Sequence, residues 1–502
     1  MMKARKLLFG AVAIAAAATA TLVACNKNIQ RETNANRALT AGVLAVCDCA
    51  NTITKDSTLT GQINADLFLR AAVRYKLQGL VFVVGNHTLT IEKGTRIEGI
   101  KGVGGAVGGG LIITKGSKIV AEGSASCPIV FTSDQGSLSQ SGDWAGVVLL
   151  GKAQTNNAPA FVEGINNTSY PGVDLQYGST DSVVSGVNVN NDSSGRLRFV
   201  RIEYGGYALS TDNEINGLTL AGVGRKTVID YVEVYKANDD AFEFFGGTVN
   251  ATHILSIDAL DDMFDTDNGY TGTISFALGL ADTSRKDQSQ SNGFESDNNA
   301  GGTVAAGAPV TEPTYNNVTI VGVPSIAKAR KIDTVTVGGT TYQLRYGRAG
   351  HFRRNSRFHL NGVIAFGYDF GISIDQQLLN GTSNSLVEYN AGRSSLANVY
   401  SAGFNAPLAT TTVPAWSVES NGVAASGSNF TSQYSVVSGN VAGSSASTNP
   451  FNLSSPFSRS AITNFIPTVG QASRAYGAFP NGTNWTNPDG CSVNNWIKLS
   501  GL

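Results

Sequence analysis

The sequence predicts an all-β protein built as a single right-handed parallel β-helix, a solenoid with about 22 residues in each coil. Three observations lead to this fold class. The chain is rich in turn-forming glycine, with 58 Gly, and only 15% of its residues are charged. Its apolar segments are short, alternate with polar residues and stop at Gly, Asn or Asp, as in 228–234 and 274–276. The third observation is internal repetition.

The repetition has a spacing of 22 residues. The run from Asp239 to Glu243 recurs as Asp261 to Asp265, and Lys93-Gly94-Thr95 recurs as Lys115-Gly116-Ser117. Equivalent positions of neighbouring coils lie about 4.8 Å apart, so Phe242 should lie above Phe264 and Gly94 above Gly116. A β-propeller would need a period of about 40 residues or more, which the sequence does not show.

The first 24 residues have the layout of a secretory signal peptide, with a basic start and a short apolar stretch. They end in Leu22-Val23-Ala24-Cys25, which resembles a bacterial lipobox. That resemblance implies cleavage before Cys25 and lipidation of its thiol and amino group. Asn26 stands where an Asp typically retains lipoproteins in the inner membrane, so we expect an outer-membrane anchor, facing the periplasm or the cell surface.

The rest of the chain divides by composition. Residues 25–45 are polar and unpatterned and should form a flexible tether. Residues 46–483 should form the β-helix, with projecting loops near 282–313 and 324–350 where the period is interrupted. We expect residues 484–502, which contain two tryptophans, to cap the last coil, because open coil ends expose strand edges.

The cysteines and the charge balance limit the alternatives. In an oxidising compartment Cys127 should pair with Cys47 or Cys49, whereas Cys491 is expected to lie too far away. The chain has 36 Lys and Arg against 37 Asp and Glu, so no overall charge favours binding to nucleic acid. The membrane contact should therefore come from the lipid anchor.

Several motifs resemble a known family. They are residues 142–147 (GDWAGV), 214–220 (EINGLTL), 239–250 (DDAFEFFGGTVN), 261–265 (DDMFD) and 295–298 (ESDN). Together they resemble β-helix lipoproteins of Bacteroidota-type bacteria, which are related in fold to pectate lyases and are largely without assigned activity. The resemblance covers residues 50 to 375.

An acid-rich window is a candidate metal site. Residues 239–267 contain eight acids and no Lys or Arg, and the register stacks the acids of one coil on those of the next. Stacked carboxylates repel each other unless a cation compensates, and Ca²⁺ prefers oxygen ligands. The predicted ligands are Asn238, Asp239, Asp261 and Asp265. The alternative is that these acids accept backbone N–H bonds at bends.

Catalysis is a second hypothesis for the same region. Asp240 and Asp262 are candidate acid or base groups, and Arg353 and Arg354 could act as a base or hold a substrate carboxylate. By sequence distance the two arginines should lie four or five coils from the acids. Fold analogy alone does not establish a reaction.

Aromatic residues suggest a ligand. Trp144, Tyr204 and Tyr207 are candidates for stacking on sugars, although packing is the alternative for each. Three functions follow: binding or adhesion to polysaccharide, cleavage of polysaccharide by a Ca²⁺-dependent lyase or hydrolase, and an accessory role for an outer-membrane transporter. Binding is the leading hypothesis.

Overall fold

The computed structural model describes residues 49, 52–104, 107–210, 213–379, 383–404, 416–420, 423–424, 440–442, 447–491 and 494–499. The predicted signal peptide, Cys25 and the predicted tether at 25–45 lie outside these ranges. No helix in the described ranges is both long enough and apolar enough to cross a bilayer.

The fold is the parallel β-helix expected from the sequence, with strands of successive coils paired in parallel along three faces. We call these faces sheets A, B and C. Sheet A contains the ends of Lys55–Ile63 and Val73–Val83, then Gly110–Ile113, Gly146–Leu150, Leu218–Val223, Phe242–Gly247, Phe264–Asp267, Phe294–Ser296, Arg348–Phe352, Phe370–Asp375 and Trp416–Ser420.

Sheets B and C share strands that bend from one face to the next. Five strands start in sheet B and end in sheet C: Gly195–Glu203, Val228–Tyr235, Asn250–Ile257, Thr273–Leu280 and Thr314–Val321. Sheet B also contains Leu67–Leu69, Thr88–Ile91, Lys118–Glu122, His359–Asn361 and Ser395–Ala397. Sheet C also contains the starts of Lys55–Ile63 and Val73–Val83, with Arg96–Gly99, Ile129–Ser133, Ile364–Tyr368, Tyr400–Gly403 and Val441–Ala442.

Short elements project from the solenoid. Small antiparallel pairs join Ala160–Phe161 with Gln176–Tyr177, Val183–Val184 with Val187–Asn188, Ala208–Ser210 with Asn213–Glu214, Asp333–Val337 with Thr340–Leu344, and Val423–Ala424 with the last strand of sheet A. The α-helices are Ile326–Ala329 and Ser385–Asn390, and the 3-10 turns are Gly136–Leu138, Val189–Asn191, Ile462–Phe465, Ala472–Ala475 and Pro480–Gly482.

Each bent strand turns at one residue with a positive φ. The aromatic residues at this corner stack on one another, with ring centroids 4.4 Å apart for Phe199 and Tyr231, 4.5 Å for Tyr231 and His253, and 5.1 Å for His253 and Phe276. Their φ angles of 50° to 55° lie in the left-handed region, which costs a non-glycine residue about 1–2 kcal/mol. Stacking along the corner offsets part of this cost.

The predicted register is confirmed where no insertion interrupts the coils. Phe242 pairs with Phe264, and both rings are buried inside the solenoid with Phe294 of the following coil. The prediction for Gly94 and Gly116 is wrong, because Leu89 pairs with Ile119 and not with Leu111. The chain makes a longer excursion between the strands Arg96–Gly99 and Gly110–Ile113, which shifts the register beyond it.

The loops and the C-terminal segment differ from our expectations. The strand Phe294–Ser296 divides the loop expected at 282–313, and a further insertion at 152–194 was not foreseen. We expected the β-helix to continue to residue 483 and residues 484–502 to cap it, whereas no strand of the β-helix lies in the described residues from 447 onward. The described part of this tail runs along the outer face of sheet C, and Asp489 and Asn495 bond to the backbone of Ala125 and Ser126 in an early coil.

The disulfide prediction is confirmed and refined. Cys49 is bonded to Cys127, with their Cα atoms 5.1 Å apart. Cys491 is also disulfide-bonded, contrary to the expectation that it lies too far from other cysteines. The return of the tail toward Ala125 explains why distance along the chain was misleading.

Candidate functional site

A row of carboxylates follows the outer face of sheet A. Glu243 pairs with Asp265, and Asp265 pairs with Glu295, on three successive coils. Side chains alternate along a strand, so the phenylalanines beside these acids face inward and the acids face outward. The stacking of Glu243 on Asp265 was predicted, whereas the continuation of the row to Glu295 was not.

A group of Asp and Asn side chains lies at the bends that precede the strands of sheet A. The side-chain oxygens of Asn216, Asp240, Asp262 and Asn292 each accept a hydrogen bond from the backbone N–H of the next coil. The donors are the N–H groups of Asp240 at 3.1 Å, Asp262 at 2.8 Å, Asn292 at 2.5 Å and Arg348 at 2.8 Å. Asp240 and Asp262 thus take the bend role that we had considered as the alternative to a metal site.

The acids nevertheless converge on two positions suited to a cation. Ligand oxygens of Asp239, Asp240 and Asp261 lie within 4.8 Å of one another, as do those of Asp240, Glu243 and Asp265. One oxygen each of Asp261 and Asp265 is buried without a hydrogen-bond partner. These oxygens have lone pairs that no protein donor among the described residues satisfies.

The predicted ligand set is therefore divided. Asp239 and Asp261 share one group, Asp265 belongs to the other, and Glu243 joins it although we had not proposed it as a ligand. The side-chain oxygen of Asn238, the fourth predicted ligand, accepts a hydrogen bond of 2.8 Å from Arg285. The sequence contained the signal for Glu243, since it stands in register with Asp265.

Burial and mutual repulsion make this region hold protons tightly. Burial, and next the carboxylate of Asp265, raise the pKa of Glu243 well above its usual value. Burial and Glu295 do the same to the pKa of Asp265, and burial with Asp297 raises the pKa of Asp267 to about 8. At neutral pH the cluster must either retain protons or bind a cation.

The two candidate arginines close the C-terminal end of the acidic row. Arg353 bonds to Glu295 and to Asp297, the latter at 2.8 Å, and Arg354 lies 2.6 Å from Asp297. The expected separation of four or five coils is wrong. Arg353 lies one coil beyond Glu295 and two beyond Asp265, because two insertions take up the intervening chain. Both guanidinium groups form salt bridges.

A buried polar cluster continues the row beyond the arginines. His351 pairs with Glu295, and burial followed by the charge of Arg348 lowers the pKa of His351 to about 3. Arg348 makes two hydrogen bonds of 2.6 Å to Glu419, whose oxygen lies 3.5 Å from the histidine ring. This cluster could not be predicted from the sequence, since Glu419 lies 71 residues beyond Arg348.

Two insertions and a loop enclose a cleft of about 670 Å³ beside the acidic row. Asp239 and Asp261 line this cleft, whereas the row itself (Glu243, Asp265 and Glu295) does not. The lining residues of the cleft are Glu163 from the insertion at 152–194, Asn238, Asp239, Leu260, Asp261, Asp287, Gln288, Ser289, and Thr341, Tyr342, Gln343 and Arg345 from the hairpin at 333–344 and its end. We call this cleft the acidic groove. Arg345 is exposed and faces the same cleft as Asp239 and Asp261.

The predicted stacking residues have different surroundings. Trp144 is fully buried in the core, and its indole N–H donates a hydrogen bond of 2.7 Å to the carbonyl of Glu203, so packing is its role. Tyr204 is half-buried with the ammonium of Lys498 at 4.7 Å from its ring centroid. Tyr207 packs against the apolar cluster under the insertion at 152–194.

These features define a parallel β-helix protein with an acidic groove on one sheet, walled by projecting insertions. The family model described as a pectate-lyase-like β-helix domain matches residues 61–448, and the chain belongs to this family. Neither the comparison with curated proteins nor the comparison with solved structures gives a match.

Proposed function

We propose that this protein is a lipid-anchored outer-membrane protein that binds polysaccharide in the acidic groove, with Ca²⁺ held by the carboxylates. The observation that carries the proposal is the pair of buried, unpartnered oxygens on Asp261 and Asp265, each within a group of three converging carboxylates. The membership of the pectate-lyase-like β-helix family supports a polysaccharide ligand.

The charge distribution favours a bound cation. Carboxylates about 5 Å apart in a buried setting repel each other strongly. Ca²⁺ takes about six to eight oxygen ligands. Asp239, Asp240 and Asp261 supply three carboxylates at one position, and Asp239 and Asp261 also line the groove. Oxygens of water and of a sugar would complete the coordination, which couples the cation to the ligand.

The shape of the groove favours an extended ligand. Successive coils place equivalent side chains about 4.8 Å apart along the solenoid, so the groove repeats its polar contacts along one direction. Arg345 and Tyr342 also line the groove and offer a guanidinium group and an aromatic ring to a sugar chain.

Binding is favoured over cleavage because the candidate catalytic groups already form hydrogen bonds or salt bridges within the protein. Asp240 and Asp262 accept backbone N–H bonds in the bends, and Arg353 and Arg354 are held in salt bridges with Asp297. A group that already has strong partners is a poor acid or base unless it is released.

The test is binding of the mature chain to immobilised polygalacturonate, alginate and a neutral glucan, with Ca²⁺ and with EDTA. We expect Ca²⁺-dependent retention that falls at least about tenfold in the Asp261→Asn/Asp265→Asn variant, because each of the two carboxylate groups loses one charged ligand. The matched control is Asp174→Asn/Asp181→Asn, which removes two exposed acids outside the groove.

Equal retention in Ca²⁺ and in EDTA, or an unchanged double variant, would contradict a cation-dependent groove. The same incubations are followed for new reducing ends and for unsaturated sugar products. Release of either product would show cleavage and would replace the binding function by a lyase or a hydrolase.

A further inference from the structure

A second pocket of opposite charge adjoins the acidic groove. It has a volume of about 370 Å³ and is lined by Ser139, Gln140, Ser141, Tyr204, Lys236 and Arg285. We call it the basic pocket. Two of its lining residues carry positive charge and none carries negative charge, in contrast to the groove beside it.

The guanidinium group of Arg285 has neutral partners. It donates a hydrogen bond of 2.8 Å to the side-chain oxygen of Asn238 and another to the hydroxyl of Ser141. Within the described part of the chain it forms no ion pair with a carboxylate. Burial lowers the pKa of Arg285, which reflects the cost of keeping this charge away from water.

Asp282 and Asp258 are the two carboxylates with an electrostatic effect on Arg285, and both have other hydrogen-bond or salt-bridge partners. Asp282 accepts hydrogen bonds from the N–H groups of Ser284 and Arg285 in its own turn. Asp258 pairs with Arg459 of the C-terminal tail. Lys236, the second cation of the pocket, forms no ion pair among the described residues and has its ammonium 5.5 Å from the ring of Tyr235.

The pocket is held in place before any ligand arrives. Asp143 is buried at the base of the loop 139–143, where it accepts hydrogen bonds from the N–H of Gln140 at 2.8 Å and the hydroxyl of Ser133 at 2.7 Å. Its other oxygen lies 2.7 Å from Lys101. A wall fixed in this way lets a ligand bind without the cost of ordering the loop.

The basic pocket and the acidic groove meet at Asn238. Asn238 lines the groove together with Asp239, and its side chain bonds to Arg285 of the pocket. A chain lying in the groove can therefore place one of its substituents against Arg285 and Lys236.

We infer that the basic pocket binds an anionic substituent, a carboxylate or a sulfate ester, on a sugar of the polysaccharide. A half-buried arginine without a carboxylate partner is costly, and an anion from the ligand would supply the missing charge through a bidentate contact. Tyr204 would lie beside the ring of that sugar. The inference rests on the proposed function for the nature of the ligand, but not on the presence of Ca²⁺.

The test compares Arg285→Gln with Arg225→Gln, an exposed arginine in a turn outside both sites. Calorimetry is carried out with an oligogalacturonate, a sulfated galactan oligosaccharide and a neutral oligosaccharide of equal length. We expect Arg285→Gln to weaken binding of an anionic probe about tenfold or more, and the control to leave it unchanged. Which anionic probe responds identifies carboxylate or sulfate.

The outcomes separate this inference from the proposed function. Retention of wild-type affinity by Arg285→Gln, with both variants folded by circular dichroism, would overturn the basic pocket while leaving groove binding intact. Preference for the neutral probe would also overturn it. Binding that responds to Arg285→Gln in EDTA, but not to Asp261→Asn/Asp265→Asn, would support the pocket and contradict the cation-dependent groove.

Discussion

At the scale of single residues, identical carboxyl groups serve different purposes a few ångströms apart. Asp240 and Asp262 satisfy backbone N–H groups of the next coil, whereas Asp265 keeps a buried oxygen without a partner. The first arrangement strengthens the solenoid, because a buried N–H without a partner would cost about 1–3 kcal/mol. The second stores repulsion that a cation can relieve.

The raised pKa values predict how stability depends on pH. Burial and Asp297 raise the pKa of Asp267 to about 8, against about 3.9 for an unfolded Asp. Between these pH values the folded chain therefore binds more protons than the unfolded chain. The contribution of protonated Asp267 to the free energy of unfolding is fully present below about pH 4 and is lost as the pH rises toward about 8. In EDTA we expect the melting temperature to drop by several degrees from pH 5 to pH 8.

The control for this prediction is excess Ca²⁺, which should flatten the profile by replacing the protons. The Asp265→Asn/Asp267→Asn variant should also be flatter in EDTA. A melting temperature that rises with pH over this window in EDTA, measured by scanning fluorimetry, would contradict the protonated cluster.

From the sequence, the site could be predicted only where the repeat shows which residues of neighbouring coils pair. Phe242 and Phe264 fix the stacking of Glu243 on Asp265, and the sequence shows both repeats. The partners of Asp262 and Asn238 could not be predicted, because Asn292 and Arg285 come from an insertion that breaks the period. The hydrogen-bond donors that reach these side-chain oxygens come from loops, and the position of a loop is known only from the folded structure.

At the scale of elements, the outer face of sheet C forms a second core. Outward residues such as Leu255 and Leu278 are buried against Phe479, Trp485 and Trp496 of the tail. The sequence indicates that this face is covered. A strand with one face exposed to solvent would alternate apolar and polar residues, whereas Ile254 and Leu255 are both apolar. Continuous apolar runs indicate a strand that is buried on both faces.

The tail should be essential to this second core. Trp496 is fully buried, with its ring 5.8 Å from Tyr231, and its indole N–H donates to the carbonyl of Thr486 at 2.7 Å. We expect Trp496→Ala to destabilise the protein by about 3–5 kcal/mol and to make residues 447–499 the first site of proteolysis. Urea unfolding and limited proteolysis measure the two effects.

Val469→Ala is the matched control in the same tail, since Val469 is 84% exposed. Its stability should change by no more than about 0.5 kcal/mol. Equal effects of the two substitutions would show that the tail does not contribute to the core.

At the scale of the whole molecule, the coil period predicted the fold and the insertions limited that prediction. Glycines 94 and 116 resemble each other in sequence, yet the excursion between Gly99 and Gly110 moves their coils out of register. The return of the tail to Ala125 could not be predicted either, because the residues that contact each other are about 360 apart.

Anchoring is the remaining prediction at this scale. Cys25 lies outside the described residues, and the sequence before it resembles a lipobox. A lipid anchor makes the chain fractionate with membranes, so Cys25→Ser should appear in the soluble periplasmic fraction without a lipidated N-terminus. The control is Cys49→Ser, which removes the disulfide to Cys127 but keeps the lipobox, and it should stay in the membrane fraction.

The position of the tail also sets an order of events during biosynthesis. Chains are made from the N-terminus, and the coils can stack as they emerge because each contacts only its neighbours. Leu255, Leu278 and the rest of the outer face of sheet C nevertheless stay open to solvent until Trp485 and Trp496 have been synthesised. The nascent chain therefore exposes an apolar flank until the tail has been made. Packing of the tail covers this aggregation-prone surface, so removal of residues 484–502 should reduce yield more than loss of a surface loop.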